Sequence, residues 1–173
     1  KNGDGSLINS TNRNNEFGFA VDSGSSFAMT NSQLEEAGWD SPGGNAGLKM
    51  NTTLMSFNNN ILSNVYRTII YSKDNVIKNN VIKDGWYGVD IKGSNNTLDN
   101  NTVFTDFGDG IAIFPGFNGN NILNNNLTSN GNGLIISSSS NNITNNTLTY
   151  NSRGLYLSGN NNLIQNNTIF QNA

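Results

Sequence analysis

The chain has no cysteine and no histidine, only two prolines, and only 12% charged residues in 173 positions. Each shortage excludes something. Without cysteine there is no disulfide, no thiolate nucleophile and no thiolate metal ligand. Without histidine the commonest general base and the commonest metal ligand are both missing, so serine-protease-like triads and zincin-type zinc sites are ruled out. No apolar run approaches membrane-spanning length and no signal peptide is evident, so membrane insertion is not expected. Nine scattered Lys and Arg make no nucleic-acid footprint, and no Gly-rich phosphate loop is present. Hydrophobic content is also low, 34%, yet the net charge of -3 is too small for the usual composition of a disordered chain. The gap is filled by Asn, Ser, Thr and Gly.

The asparagines are not scattered. Pairs recur at Asn58-Asn59, Asn79-Asn80, Asn100-Asn101, Asn124-Asn125, Asn145-Asn146 and Asn166-Asn167, with steps of 21, 21, 24, 21 and 21 residues. Upstream the pairs become Asn31-Ser32 and Asn9-Ser10. Apolar residues keep the same phase. Three positions after the first member stand Leu34, Ile61, Ile82, Val103, Leu127, Leu148 and Ile169. Two before it stand Met29, Ile77, Leu98, Ile122, Ile143 and Ile164, with Ser56 as the one exception. A further stretch repeats as GFAV, GLKM, RTII, GVDI, GIAI, GLII and GLYL, whose second and fourth residues are nearly all apolar, as in a half-buried strand.

Short strands separated by Gly, Asn and Ser turns at about 21-residue intervals describe the turn of a solenoid, one unit that buries its apolar face only by stacking on its neighbours. The expectation is an all-β, right-handed parallel β-helix of about eight coils, a single domain over residues 1–173 with an insertion loop at 35–47. Helical repeats would need a 3.6-residue period, and a leucine-rich repeat its Leu-x-x-Leu-x-Leu frame; neither is present. An inward Asn at each bend can hydrogen-bond the coils on either side and tolerate left-handed backbone. Asn-x-Ser/Thr sequons such as those at Asn51 and Asn166 are read mostly as buried ladder, leaving Asn51 as the glycosylation candidate. The abrupt start KNGDGSL and end IFQNA are those expected of a piece of a longer protein.

Function should lie where the repeat breaks, because insertions in solenoids fall in loops, often on the binding face. The repeat breaks at Glu35–Gly47 and again around Phe104–Asn118. Every Asp and Glu lies at or before Asp109, and the only charge after it is Arg153. In the G-φ-x-φ strand the third position is expected to face solvent, giving the column Ala20, Lys49, Ile69, Asp90, Ala112, Ile135, Tyr156. The next outward position gives Asp22, Asn51, Tyr71, Lys92, Phe114, Ser137, Ser158. Preceding turns add Trp39 and Asp40, Tyr66 and Arg67, Trp86 and Tyr87, and Phe107 with Asp109. Aromatic faces stack on sugar rings while Arg, Lys, Asp and Asn bind hydroxyls and carboxylates, so this face suits a linear acidic polysaccharide.

Two chemistries stay open beside simple binding. Lys92 or Tyr71 as base, with Asp90 nearby and Arg67 and Lys49 neutralising a carboxylate, fits β-elimination or C5-epimerisation of a uronate. A pair among Asp40, Asp90, Asp106 and Asp109 fits glycoside hydrolysis. Trp39, Trp86 and Tyr87 would be sugar platforms, with Asp40, Tyr66, Phe107, Asp109 and Phe114 completing the surface. The run DFGDG (106–110) is weighed as a Ca²⁺ loop but lacks an EF-hand frame, so no cofactor is expected. The rival from another class is a non-catalytic structural or adhesion segment, able to meet a second copy end to end or a neighbouring domain of its own chain.

The NNxφxNNxφ coils resemble the β-helix repeats of polysaccharide lyases, mannuronan C5-epimerases and the periplasmic copper-protein accessory family. The stretches MTNSQLEEAGWDSPGGNAGLKMNT (29–52) and GWYGVDIKGSNNTLDNNTVFTDFGDGIAIF (85–114) resemble the disaggregatase-related surface proteins of methanogenic archaea. That resemblance implies a secreted or cell-surface protein acting on, or holding, a uronate-containing matrix polysaccharide. It carries over no catalytic residue, and the Asp-Pro-His-Glu run of the epimerases is absent.

Overall fold

The computed structural model describes residues 18–38, 47–105 and 107–173, together with the backbone of the two strands Gly3–Asp4 and Leu7–Asn9. Among the described residues, twenty-three short strands form three parallel sheets of eight, eight and seven strands, and each sheet takes every third of these strands. The chain is thus wound as a triangular parallel β-helix, right-handed as parallel crossovers are. Strands of two to five residues suffice because all but the outermost described strands are paired on both sides by their counterparts one turn away, at about 4.8 Å.

The core is a set of vertical columns, one inward residue per turn. In the first sheet Met29, Phe57, Ile77, Leu98, Ile122, Ile143 and Ile164 are in register. In the second, Leu34, Leu62, Ile82, Val103, Leu127, Leu148 and Ile169 are. The third contributes Met50, Ile70, Ile91, Ile113 and Ile136. Nearly all are fully buried. Each Leu or Ile so buried contributes about 1.5–3 kcal/mol.

Three corrections to the sequence reading follow from this register. First, the triple Asn58-Asn59-Asn60 was paired one residue early: Lys78 aligns with Asn58, so the pair equivalent to Asn79-Asn80 is Asn59-Asn60. The apparent exception Ser56 then disappears, because Phe57 occupies the core column at 0% exposure. Leu62, not Ile61, is inward; Ile61 is 39% exposed. Second, of the about eight coils expected, six are regular turns, beginning at Ser56–Asn58 and spaced 20 to 24 residues apart, preceded by longer N-terminal turns. Third, the two jobs assigned to one asparagine belong to two. The first member of each pair takes the left-handed backbone (Asn59, Asn79, Asn100, Asn124, Asn145 and Asn166, φ 54–60°) and the second is the buried rung. Sequon asparagines such as Asn100, Asn145 and Asn166 are therefore exposed, and the rungs beside them are Asn101 and Asn146, both buried, and the half-buried Asn167.

At the corner between the first and second sheets, Asn80, Asn101, Asn125 and Asn146 are bonded alike. Asn101 Oδ1 accepts the Asn80 backbone N–H (3.0 Å), while Asn101 Nδ2 donates to Ile77 O (3.0 Å) and to Asn125 Oδ1 (3.0 Å). There are three such ladders, one per corner. Besides Asn60–Asn80–Asn101–Asn125–Asn146–Asn167 there is Asn75–Asn96–Asn120–Asn141–Asn162. The third, Thr105–Asn130–Asn151–Asn172, occupies only the C-terminal turns. At all three corners the ladder supplies partners to buried main-chain groups that the bend takes out of the sheets.

Candidate functional site

The third sheet carries the face picked out from the sequence, and it aligns Lys49, Ile69, Asp90 and Ala112 as expected. The middle of this column does not reach solvent, however, although Ala20 and Tyr156 at its two ends are exposed. Ile69 is 4% exposed, Asp90 3% and Ala112 3%. Long side chains from the preceding turn lie over it. Arg67 reaches from the Tyr87 ring, 4.2 Å from guanidinium carbon to centroid, to the Asp90 carboxylate, with Nη1 3.4 Å from Oδ2. Tyr66 meets Tyr87 edge-on at 6.0 Å and holds that ring in place.

The contact between Arg67 and Asp90 is an ion pair without a well-aligned hydrogen bond. Asp90 Oδ2 and Arg67 Nε are both buried and have no hydrogen-bond partner among the described residues. Burial pushes the Asp90 carboxyl above the usual carboxylate range, Arg67 and then Lys92 pull it back, and Asp109 pushes it further up. Asp109 itself accepts a 2.7 Å hydrogen bond from Asn132 Nδ2.

Beyond this column the expected residues divide between two places. On the turn entering the sheet, Trp86 and Phe107 stack on each other (4.9 Å between centroids, 20° between planes) and remain 40% and 67% exposed. They form an aromatic ledge. At the exit from the sheet, Tyr71 and Lys92 are neighbours, as the register predicted: the Lys92 ammonium lies 5.6 Å from the Tyr71 ring centre and 4.8 Å from that of Phe114. Both line an open hollow of about 410 Å³, together with Asn51, Lys73, Ser94 and Phe117 among others. Gly93 is part of its wall, where a Cβ would stand 1.8 Å from Ser72 O. Only glycine lets the turn approach that closely.

Lys49, Asp90, Arg67 and Asp109 do not line the hollow. The proposed catalytic set is thus split: Lys92 and Tyr71 on one side, the Arg67–Asp90 pair on the other. Trp39, Asp40 and Asp106 lie outside the described residues, as does most of the insertion loop (39–46). The sequence reading missed Lys73, Ser94 and Phe117, which come from the long turns after the third-sheet strands. The available signal was that these turns vary from coil to coil (NTT, YSK, KGS) while the bends before the first and second sheets repeat.

The architecture and its ladders define a right-handed parallel β-helix domain. The family model for the right-handed β-helix region matches residues 46–173, and the chain belongs to that family. No curated protein and no solved structure matches the chain.

Proposed function

We propose that the exit side of the third sheet binds an acidic, uronate-containing polysaccharide at the cell surface or outside the cell. The observation that carries this reading is the open hollow between Tyr71, Lys73 and Lys92. It combines what an acidic sugar unit requires: an exposed aromatic face for the ring, two ammonium groups for carboxylates, and hydroxyls and amides from Asn51, Thr52, Thr53 and Ser94 for the sugar hydroxyls. The Trp86–Phe107 ledge offers a second apolar platform on the same sheet. The likeness of 29–52 and 85–114 to disaggregatase-related surface proteins fits a matrix polysaccharide as the ligand. With Arg67 tied to Asp90 and away from the hollow, the neutralising group and the proposed bases do not share a wall, so the geometry supports binding over elimination.

The test is titration calorimetry with polygalacturonate and alginate. Binding should weaken at least tenfold in Lys92→Ala and fall steeply with added salt, since exposed charges are screened within about 10 Å at moderate ionic strength. Ultraviolet absorbance from unsaturated uronate ends would instead reveal elimination. If neither polymer binds at low salt, this reading fails. The alternative, a non-catalytic structural or adhesion segment, is favoured by the C-terminal turns, where three continuous ladders run through a region with Arg153 as its only charge.

A further inference from the structure

We infer that Asn118 is a site of spontaneous chemical modification: the main-chain nitrogen of Gly119 displaces its side-chain amide, and the carboxylate formed loosens the hold of the adjoining hollow on an acidic polymer. That last effect rests on the reading of the hollow as a polyanion site. The setting is the long turn that leaves the third sheet. Between Phe114 and the rung Asn120 it is two residues longer than the equivalent turns from Lys92 to Asn96 and from Ser137 to Asn141. The extra length carries Asn118 out to solvent, directly after Phe117, which lines the hollow. The Asn118 N–H donates to the hydroxyl of another lining residue, Ser94, at 3.1 Å.

An asparagine followed by glycine is especially open to this reaction, because no side chain shields the attacking nitrogen. Three such pairs lie among the described residues, and their surroundings differ. Asn130 is a buried rung whose Oδ1 accepts the Thr105 N–H and whose Nδ2 donates to Val103 O and Asn151 Oδ1, while the Gly131 N–H is bonded to Gly108 O. Asn132 gives its Nδ2 to Asp109 Oδ1 and sits in a strand paired on both sides, which resists the fold-back that a five-membered ring requires. At Asn118 neither the leaving Nδ2 nor the Gly119 N–H has a hydrogen-bond partner among the described residues. Its Oδ1, by contrast, accepts the Ser139 N–H at 2.9 Å. That donor polarises the amide carbonyl and stabilises the oxyanion of the tetrahedral intermediate. Glycine is required at 119 for a separate reason, since a Cβ there would stand 2.5 Å from Asn95 Oδ1.

Water is the only co-reactant. Gly119 N, having lost its proton to hydroxide, bonds to Asn118 Cγ. The Cγ–Nδ2 bond then breaks and ammonia leaves with a proton from water, which closes a cyclic imide. Water adds to either ring carbonyl and opens it, leaving an aspartyl or isoaspartyl residue. One new negative charge then stands beside the hollow of Lys73 and Lys92.

Keeping the chain in warm, mildly alkaline buffer and mapping its chymotryptic peptides tests the chemistry. Position 118 should gain one mass unit, and accept methyl groups from an isoaspartyl methyltransferase, at least tenfold faster than positions 130 and 132, which react only through local opening. Equal rates at the three positions, or no conversion at 118, overturn the inference. Fresh and aged protein are then titrated with polygalacturonate. Affinity should fall severalfold on ageing, approach that of Asn118→Asp, and stay constant in aged Asn118→Gln, which keeps an amide but cannot close the five-membered ring. If fresh protein binds no polygalacturonate, the reading of the hollow fails, while the peptide map still decides the chemistry. If fresh protein binds, and protein converted at position 118 binds equally well, the hollow stands and its control by Asn118 is overturned.

Discussion

The corner that feeds the third sheet is built in two ways. In the N-terminal turns its inward position is taken by Ala37, Val65 and Gly85, and the next residues are the large ones of the candidate face: Tyr66 and Arg67, Trp86 and Tyr87. In the C-terminal turns the same position is Asn130, Asn151 and Asn172, followed by Gly131, Ser152 and Ala173. Main-chain pairing between turns is kept in both regions, as Tyr87 N to Tyr66 O (2.9 Å) and Gly131 N to Gly108 O (2.8 Å) show. The ladder is therefore an addition to the sheet framework. It is present where the following turn is small and absent where that turn carries aromatic side chains over the sheet. Thr105 marks the changeover, donating to Asn130 Oδ1 through both its N–H (2.8 Å) and its hydroxyl (3.0 Å).

The sharpest way to break this comparison is to write the N-terminal solution into the C-terminal region. Asn130→Val, copying Val65, leaves the Thr105 N–H and the Val103 carbonyl without their partners. At about 1–3 kcal/mol for each buried group left unsatisfied, the expected loss is about 2–6 kcal/mol, read as a lower urea midpoint. A neutral outcome would show that the corner does not depend on its amide. A second pair of substitutions tests one kind of close approach at two turns. A Cβ at Gly93 would lie 1.8 Å from Ser72 O, and one at the equivalent Gly159 would lie 1.6 Å from Ser138 O. Gly93→Ala and Gly159→Ala should each cost about 1–3 kcal/mol as overpacked sites. No loss at either would mean that the turn can move away from the carbonyl below it.

These sites also show what the sequence could and could not reveal. Period and phase were legible because each core column repeats one apolar residue per turn, and Asn-Asn doublets mark one corner. The other two corners went unseen because most of their rungs follow a left-handed residue of another kind, such as Asp74 before Asn75, Gly119 before Asn120 and Ser129 before Asn130, so the doublets Asn95-Asn96 and Asn161-Asn162 stood without a regular series. The slip at Asn58-Asn59-Asn60 arose because three identical residues fix no register, and Ser56 was the only trace of it. At the site, alternation correctly placed Asp90 on the outer side of its strand. It gave no sign that Arg67 would lie across the column, since the burial of Asp90 depends on a side chain from another turn. The hollow was hidden because it is made by turns that share no pattern.

The charged face contrasts with the neutral ladders in its response to pH. The Asp90 carboxyl is held above its unfolded value by burial, so the folded protein binds this proton more readily than the unfolded chain. Stability from this group is therefore fully present below the unfolded carboxylate range and is lost as pH rises through the folded value. Asp90→Asn removes that dependence. It should raise the melting temperature at neutral pH, leave it nearly unchanged at pH values where Asp90 is already protonated, and flatten the slope between. Arg67, Lys92 and Asp109 act on the same group, so Arg67→Met should steepen the loss, because the larger of the two opposing cations is gone. If Asp90→Asn destabilises at neutral pH, attraction to the cations outweighs burial, and the ion pair helps hold the face together.

The smallest expected effect concerns the corner before the first sheet, where the ladder runs into the N-terminal region. Asp74, Asn95, Gly119, Ser140 and Asn161 take the left-handed position there, and in the turn of Met55 the residue is Leu54, at φ 57° and 83% exposed. Leucine has neither the short polar side chain that tolerates this conformation nor any burial to offset it. The next residue, Met55, already gives its N–H to Asn75 Oδ1 (2.9 Å), so the corner is otherwise complete. Leu54→Asn should therefore stabilise by about 0.5–1 kcal/mol, a fraction of the roughly 1–2 kcal/mol that a left-handed backbone costs an ordinary residue. Differential scanning calorimetry would register it as a small rise in melting temperature. A fall would mean that Leu54 is covered in solution, and that this corner, like the one before the third sheet, has exchanged local backbone preference for a contact.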